Sequence, residues 1–120
     1  MGLFTLAQAR TELNRLRPVL DELLVVRADG AELAAALSPG GEPTRLGGLP
    51  EWKAATARLD ELMTAVQQTG AELRSLAPLL VDFPADLDGA AVLLCWLEGE
   101  SALSWYHRPD LGFAGRRRLP

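Results

Sequence analysis

Apolar residues step by three and four along the first third of the chain, through Leu6, Ala9, Leu13, Leu16, Leu20, Leu23 and Leu24. Glu12, Arg15, Asp21, Glu22 and Arg27 fall largely off that stripe, which is the pattern of an amphipathic helix. Its start carries a capping box, with Thr5 placed to accept from the Gln8 amide and the Gln8 side chain to reach back. Pro18 lacks an amide donor and crowds the preceding turn, so a kink or break is predicted near residues 14–17. Beyond Asp29-Gly30, the helix formers of 31–37 extend this region to residue 37. Glycines and prolines crowd residues 38–49 and predict a flexible loop. A second helix is predicted over 50–69, with Pro50 and Glu51 suited to its first turn, a stripe of Trp52, Ala55, Leu59, Leu62, Met63 and Val66, and Gly70 to end it.

After Gly70 the period falls to two. Residues 79–83, 91–97 and 102–107 read as strands, with Asp88-Gly89 as a tight turn and 71–75 as an edge strand. A symmetric loop at 98–101 would set Leu97 opposite Ala102, Trp96 opposite Leu103 and Cys95 opposite Ser104. That register places Val92, Leu94, Trp96, Leu103, Trp105 and His107 on one face, and Leu93, Cys95, Leu97, Ala102, Ser104 and Tyr106 on the other. The fold class is therefore α+β: a long antiparallel, coiled-coil-like helical hairpin followed by a short antiparallel β-meander over 71–107. Residues 108–120 follow as a C-terminal loop and basic tail, and the whole of 1–120 reads as a single domain. Narrow helical seams and a sheet apolar on both faces predict a homodimer.

Charge narrows the partners. Sixteen acidic against twelve basic residues give a net charge of −4, which opposes phosphate neutralisation, so no nucleic acid is expected. The basic run Arg116-Arg117-Arg118 reads as a solvated tail. No apolar run approaches the roughly 20 residues that cross a bilayer, so no membrane is expected. One cysteine excludes an intrachain disulfide, and the first residues carry no basic-then-apolar export pattern, which makes the cytoplasm the expected compartment.

Several short strings lie along almost the whole chain: Phe4-Thr5-Leu6, Arg17-Pro18, Leu80-Val81-Asp82-Phe83-Pro84, Leu94-Cys95-Trp96, Trp105-Tyr106-His107, and the run from Asp110 through Gly112-Phe113-Ala114-Gly115-Arg116. In these the chain resembles the bacterial domain-of-unknown-function family 2203. Trp105-Tyr106-His107 stands where that family's pattern has an aromatic, a Trp and then His, and the first helix is richer in alanine. The resemblance implies a small helical and β protein and carries no assigned activity.

The candidate chemistry sits late in the chain. His107, Asp110 and Arg116 flank a turn-rich loop, where an imidazole can bind a metal or move a proton, a carboxylate can orient it, and a guanidinium can hold an anion. Trp96, Trp105 and Phe113 supply aromatic walls for a planar ligand. A divalent metal, the one cofactor these residues suggest, would draw on His107, Asp110 and Asp82. Cys95 reads as a small buried residue, since the register above turns it away from His107. No catalytic residue is assigned. The leading reading is a non-catalytic, self-associating interaction module with an unknown protein partner. The alternative is a metal- or small-ligand-binding pocket, catalytic in its strongest form, around His107, Asp110 and Arg116.

Overall fold

The computed structural model describes residues 3–120. Two helices, α1 (Leu6–Leu37) and α2 (Leu49–Gln67), precede five strands: β1 (Glu72–Leu76), β2 (Leu79–Leu87), β3 (Ala90–Leu97), β4 (Trp105–His107) and β5 (Arg117–Arg118). The strands form one antiparallel sheet in the order β1-β2-β3-β4-β5, so the fold is α+β, a helical hairpin followed by a meander. Among the described residues no helix is long and apolar enough to cross a membrane. The chain divides into two compact units, residues 17–65 and residues 1–16 with 66–120.

The capping box forms as its spacing requires. The Thr5 amide donates to Gln8 Oε1 at 2.9 Å, and the Gln8 amide to Thr5 Oγ1 at 3.0 Å. Pro18 does not break α1, which runs unbroken from Leu6 to Leu37 and passes Gly30 as well.

In the hairpin unit, Leu20, Leu23, Leu33 and Leu62 are buried. Arg58 grips Glu22 through Nε at 2.6 Å and Nη2 at 2.7 Å, linking α2 to α1. The loop at 38–49 is tied rather than loose: Thr44 Oγ1 donates to a Glu32 carboxylate oxygen, a bridge joins Thr44 to Gly47, and the Gly48 amide donates to Glu51 Oε1 at 2.7 Å.

In the meander unit, Phe4 pairs with Ala85, and its ring meets Phe83 edge-on at 5.5 Å. Ala9, Leu13, Leu16 and Val66 are buried here together with Leu79, Val81, Phe83, Ala85, Leu94 and Trp96. Strand pairing places the last six on one sheet face, and burying them is the main source of this unit's stability.

Turn chemistry sets the registers. Asp88 and Gly89 both take positive φ, 54° and 87°, as a two-residue hairpin turn requires, and Asp82 lands opposite Cys95. The next hairpin departs from the symmetric expectation. Cys95 pairs with Trp105 rather than Ser104, and Leu93 with His107. The reason lies in the loop. The Glu100 amide donates to the Leu97 carbonyl around Gly99, at φ 95°, while the Leu97 amide donates back to Glu100 Oε1. The hairpin thus turns about Glu100 itself, and a shift of one residue exchanges the faces of β4. Trp105 and His107 join Leu93 and Cys95, and Tyr106 joins Leu94.

The C-terminal segment is built into the sheet rather than left as a tail. A single 3-10 turn, Phe113–Gly115, brings the chain back so that Arg117 pairs with Tyr106 and Arg118 with Trp105.

Candidate functional site

The exchanged register assembles a polar cluster on the sheet face opposite the apolar core. Asp82 comes from β2, Cys95 from β3 and His107 from β4, with 2%, 0% and 3% of their surface exposed. One carboxylate oxygen, the thiol sulfur and one imidazole nitrogen all lie within 4.8 Å of one another.

Histidine geometry settles which nitrogen faces the cluster. Nδ1 lies 2.9 Å from the Arg108 carbonyl, which can only accept, so Nδ1 carries a proton and donates it. In the neutral ring Nε2 then presents a lone pair, and it lies 3.2 Å from Asp82 Oδ2, an acceptor. Two acceptors at that distance call for a proton or a cation between them. The other oxygen, Asp82 Oδ1, is buried with no hydrogen-bond partner among the described residues. A buried orphan carboxylate oxygen is costly and asks for a positive partner.

Two arginines border the cluster. Arg74 is the extra residue of a β-bulge between Leu73 and Ser75. Its Nε reaches Asp82 Oδ2 at 3.4 Å, and its Nη2 pairs with Glu72. Arg116 Nη2 donates to the Cys95 carbonyl at 3.2 Å and to Glu100 Oε1 at 2.7 Å. Burial pushes the Cys95 thiol up to about 12, the neighbouring Asp82 carboxylate adds to the rise, and the Arg116 guanidinium beside the thiol opposes it. Left to itself this thiol is protonated at neutral pH and is no nucleophile. A bound cation would deprotonate it.

Beside the cluster a cleft of about 280 Å³ opens, lined by Asp82 and His107 together with Arg74, Pro109, Gly112 and Phe113. The structure thus joins two of the sequence candidates, His107 and Asp82, and gives Asp110 a different place. Asp110 is exposed and receives Arg108 Nε at 3.1 Å and Nη2 at 2.6 Å. Trp96 packs on the apolar face and donates its Nε1 hydrogen to the Glu100 carbonyl, so it lines no part of the cleft. Phe113 is 47% exposed at the rim. Trp105 is stacked under Arg116 and Arg118. Cys95, turned away from His107 in the sequence register, is the third member of the cluster. Half of the signal for it stood in the sequence, because the Asp88-Gly89 turn alone sets Cys95 opposite Asp82.

No curated protein and no solved structure shows significant similarity to this chain. Residues 2–119 match the family described as "Uncharacterized conserved protein (DUF2203)", and the chain belongs to that family.

Proposed function

We propose that the meander is a metal-binding module that holds one divalent transition metal through Asp82, Cys95 and His107. The observation that carries this reading is the convergence of three unlike donors with an orphan. An imidazole nitrogen faces a carboxylate oxygen at 3.2 Å, and the second carboxylate oxygen is buried without a partner among the described residues. Tetrahedral coordination with bonds of roughly 2.0–2.3 Å needs donor separations of about 3.3–3.8 Å; the three donor atoms lie within 4.8 Å of one another, the imidazole and carboxylate at 3.2 Å. The donor set of one oxygen, one nitrogen and one sulfur suits zinc-like metals rather than magnesium or calcium. The Arg108 carbonyl holding Nδ1 is the support that metal-bound histidines ordinarily have. Three protein ligands would leave room for one exchangeable ligand, the arrangement of reactive rather than purely structural zinc sites, and Asp82 and His107 line the neighbouring cleft. A metal held there would supply a Lewis acid with one exchangeable position.

The hairpin unit favours a second reading, self-association into a homodimer through its helices. Val25, Leu37 and Leu49 are 59%, 46% and 50% exposed, apolar side chains that a partner helix would cover.

One experiment tests both. Elemental analysis of zinc-loaded, desalted protein, run beside non-denaturing mass spectrometry, is expected to give one metal per chain. That metal should be lost in His107→Ala and in Cys95→Ser. Protein without metal after loading overturns the first reading, and a mass of one chain at micromolar concentration overturns the second.

A further inference from the structure

The cleft beside Asp82 and His107 has walls of two kinds. Leu80, Leu93, Pro109 and Phe113 are apolar, and Arg74 is the only arginine or lysine among the described residues that line it. Its volume of about 280 Å³ equals that of roughly nine waters at about 30 Å³ each, which is room for a small molecule of about nine or ten non-hydrogen atoms. Gly112 keeps one side of it clear. That residue holds φ 66°, and no atom stands within 4 Å of where a β-carbon would be.

Sheet geometry brings Arg74 to this wall. As the extra residue of the bulge in β1 it stands outside the strand pairing, and bulges beside functional sites re-aim side chains in this way. Two of its three guanidinium nitrogens are engaged, Nε with Asp82 Oδ2 at 3.4 Å and Nη2 with Glu72, which leaves Nη1 to donate elsewhere. The pair with Glu72 is 49% and 41% exposed, so water and salt weaken it and a second anion can compete for the fork.

Distance selects the head group of the ligand. A metal bonded to Asp82 Oδ2 at roughly 2.0–2.2 Å would stand no more than about 5.6 Å from Arg74 Nε. A carboxylate with one oxygen on the metal and the other accepting from the guanidinium at about 2.7–2.9 Å bridges that gap, and the planar fork matches its plane.

We propose that the cleft binds a small monocarboxylate, its head shared between the metal and Arg74 and its apolar body lying against Leu80, Leu93 and Phe113. This rests on the metal-binding reading above and names the class of molecule that the exchangeable position takes. An amide of the same shape leaves the guanidinium without its anion, and a carboxylate without an apolar body leaves the walls wet.

The test uses full-length protein loaded with cobalt(II), whose visible absorption changes when a ligand enters its coordination sphere, and titrates it with benzoate, benzamide, acetate and imidazole. Benzoate is expected to bind at least about 10-fold more tightly than benzamide or acetate. In Arg74→Gln benzoate affinity should fall about 10-fold, while imidazole, a neutral ligand of the metal, binds as in wild type. In Phe113→Ala, a change at the exposed rim, benzoate should weaken and acetate should not. Protein that takes up no cobalt overturns the metal reading and this one with it. Cobalt-loaded protein whose spectrum ignores benzoate, or that binds benzamide or acetate as tightly, overturns the carboxylate assignment and leaves the metal centre standing. Equal losses for benzoate and imidazole in Arg74→Gln place the effect of Arg74 on the metal itself and overturn its role in the cleft.

Discussion

The two units handle charge in opposite ways. In the hairpin unit, Arg58 bridges Glu22 and Glu61 with all three side chains about half or more exposed to water. In the meander unit, Asp82 and His107 are almost wholly buried, and one Asp82 oxygen has no hydrogen-bond partner among the described residues. A solvated ion pair contributes little and costs little, whereas a buried polar cluster lowers stability unless something completes it. The contrast teaches which polar groups the fold itself does not require. The hairpin's polar residues are those a helix surface needs, and the meander's are more than a sheet needs.

The largest effect should come from the face of the meander that does carry the fold. Phe83→Ala, at a fully buried position in edge-on contact with Phe4, is expected to cost about 3–5 kcal/mol in denaturant unfolding. A loss under about 1 kcal/mol would mean that the apolar face is not what holds the meander together. Next comes metal removal. At free metal near 100 times its dissociation constant, binding should stabilise the protein by about 2.7 kcal/mol. Stripping with a chelator should accordingly raise hydrogen exchange across residues 79–107 and leave 17–65 unchanged. Equal changes in both units would break the comparison. The smallest effect belongs to Glu22→Gln. The Arg58 hydrogen bond holds the Glu22 carboxyl below its ordinary range. Its contribution should therefore be present at neutral pH, disappear as pH falls through the folded-state value, and weaken with added salt. A wild-type advantage over Glu22→Gln that survives in acid would show that charge is not its source.

Much of the fold could be read from local chemistry because local chemistry decides it. Thr5 and Gln8 cap α1, Gly70 at φ 95° follows α2, and Asp88-Gly89 closes the β2–β3 turn, each within a few residues of sequence. The β3–β4 register was not readable in this way. It depends on the Glu100 side chain capping the end of β3, and loop composition alone does not distinguish a loop centred between Gly99 and Glu100 from one centred on Glu100. That single residue decides whether Cys95 and His107 share a face. The site was legible in the same proportion. His107 and Asp82 were visible as candidates. Asp110, three residues from His107 in sequence, is taken by Arg108, whereas Asp82, 25 residues distant, lies against the imidazole. Arg116, readable either as a cation for an external anion or as the partner of a carboxylate in the chain, pairs with Glu100.

The sheet's two rims have a consequence for how the molecule behaves in crowded solution. One rim is β5, two arginines long and exposed, and the other is β1, interrupted by the bulge that turns Arg74 toward Asp82. Sheets extend by copying a straight, uncharged row of amides onto a neighbouring chain, and neither rim offers one. Arg74, which borders the proposed metal centre, therefore also helps keep the strands from templating further strands. A substitution that straightened the bulge or removed the terminal arginines would register first as aggregation.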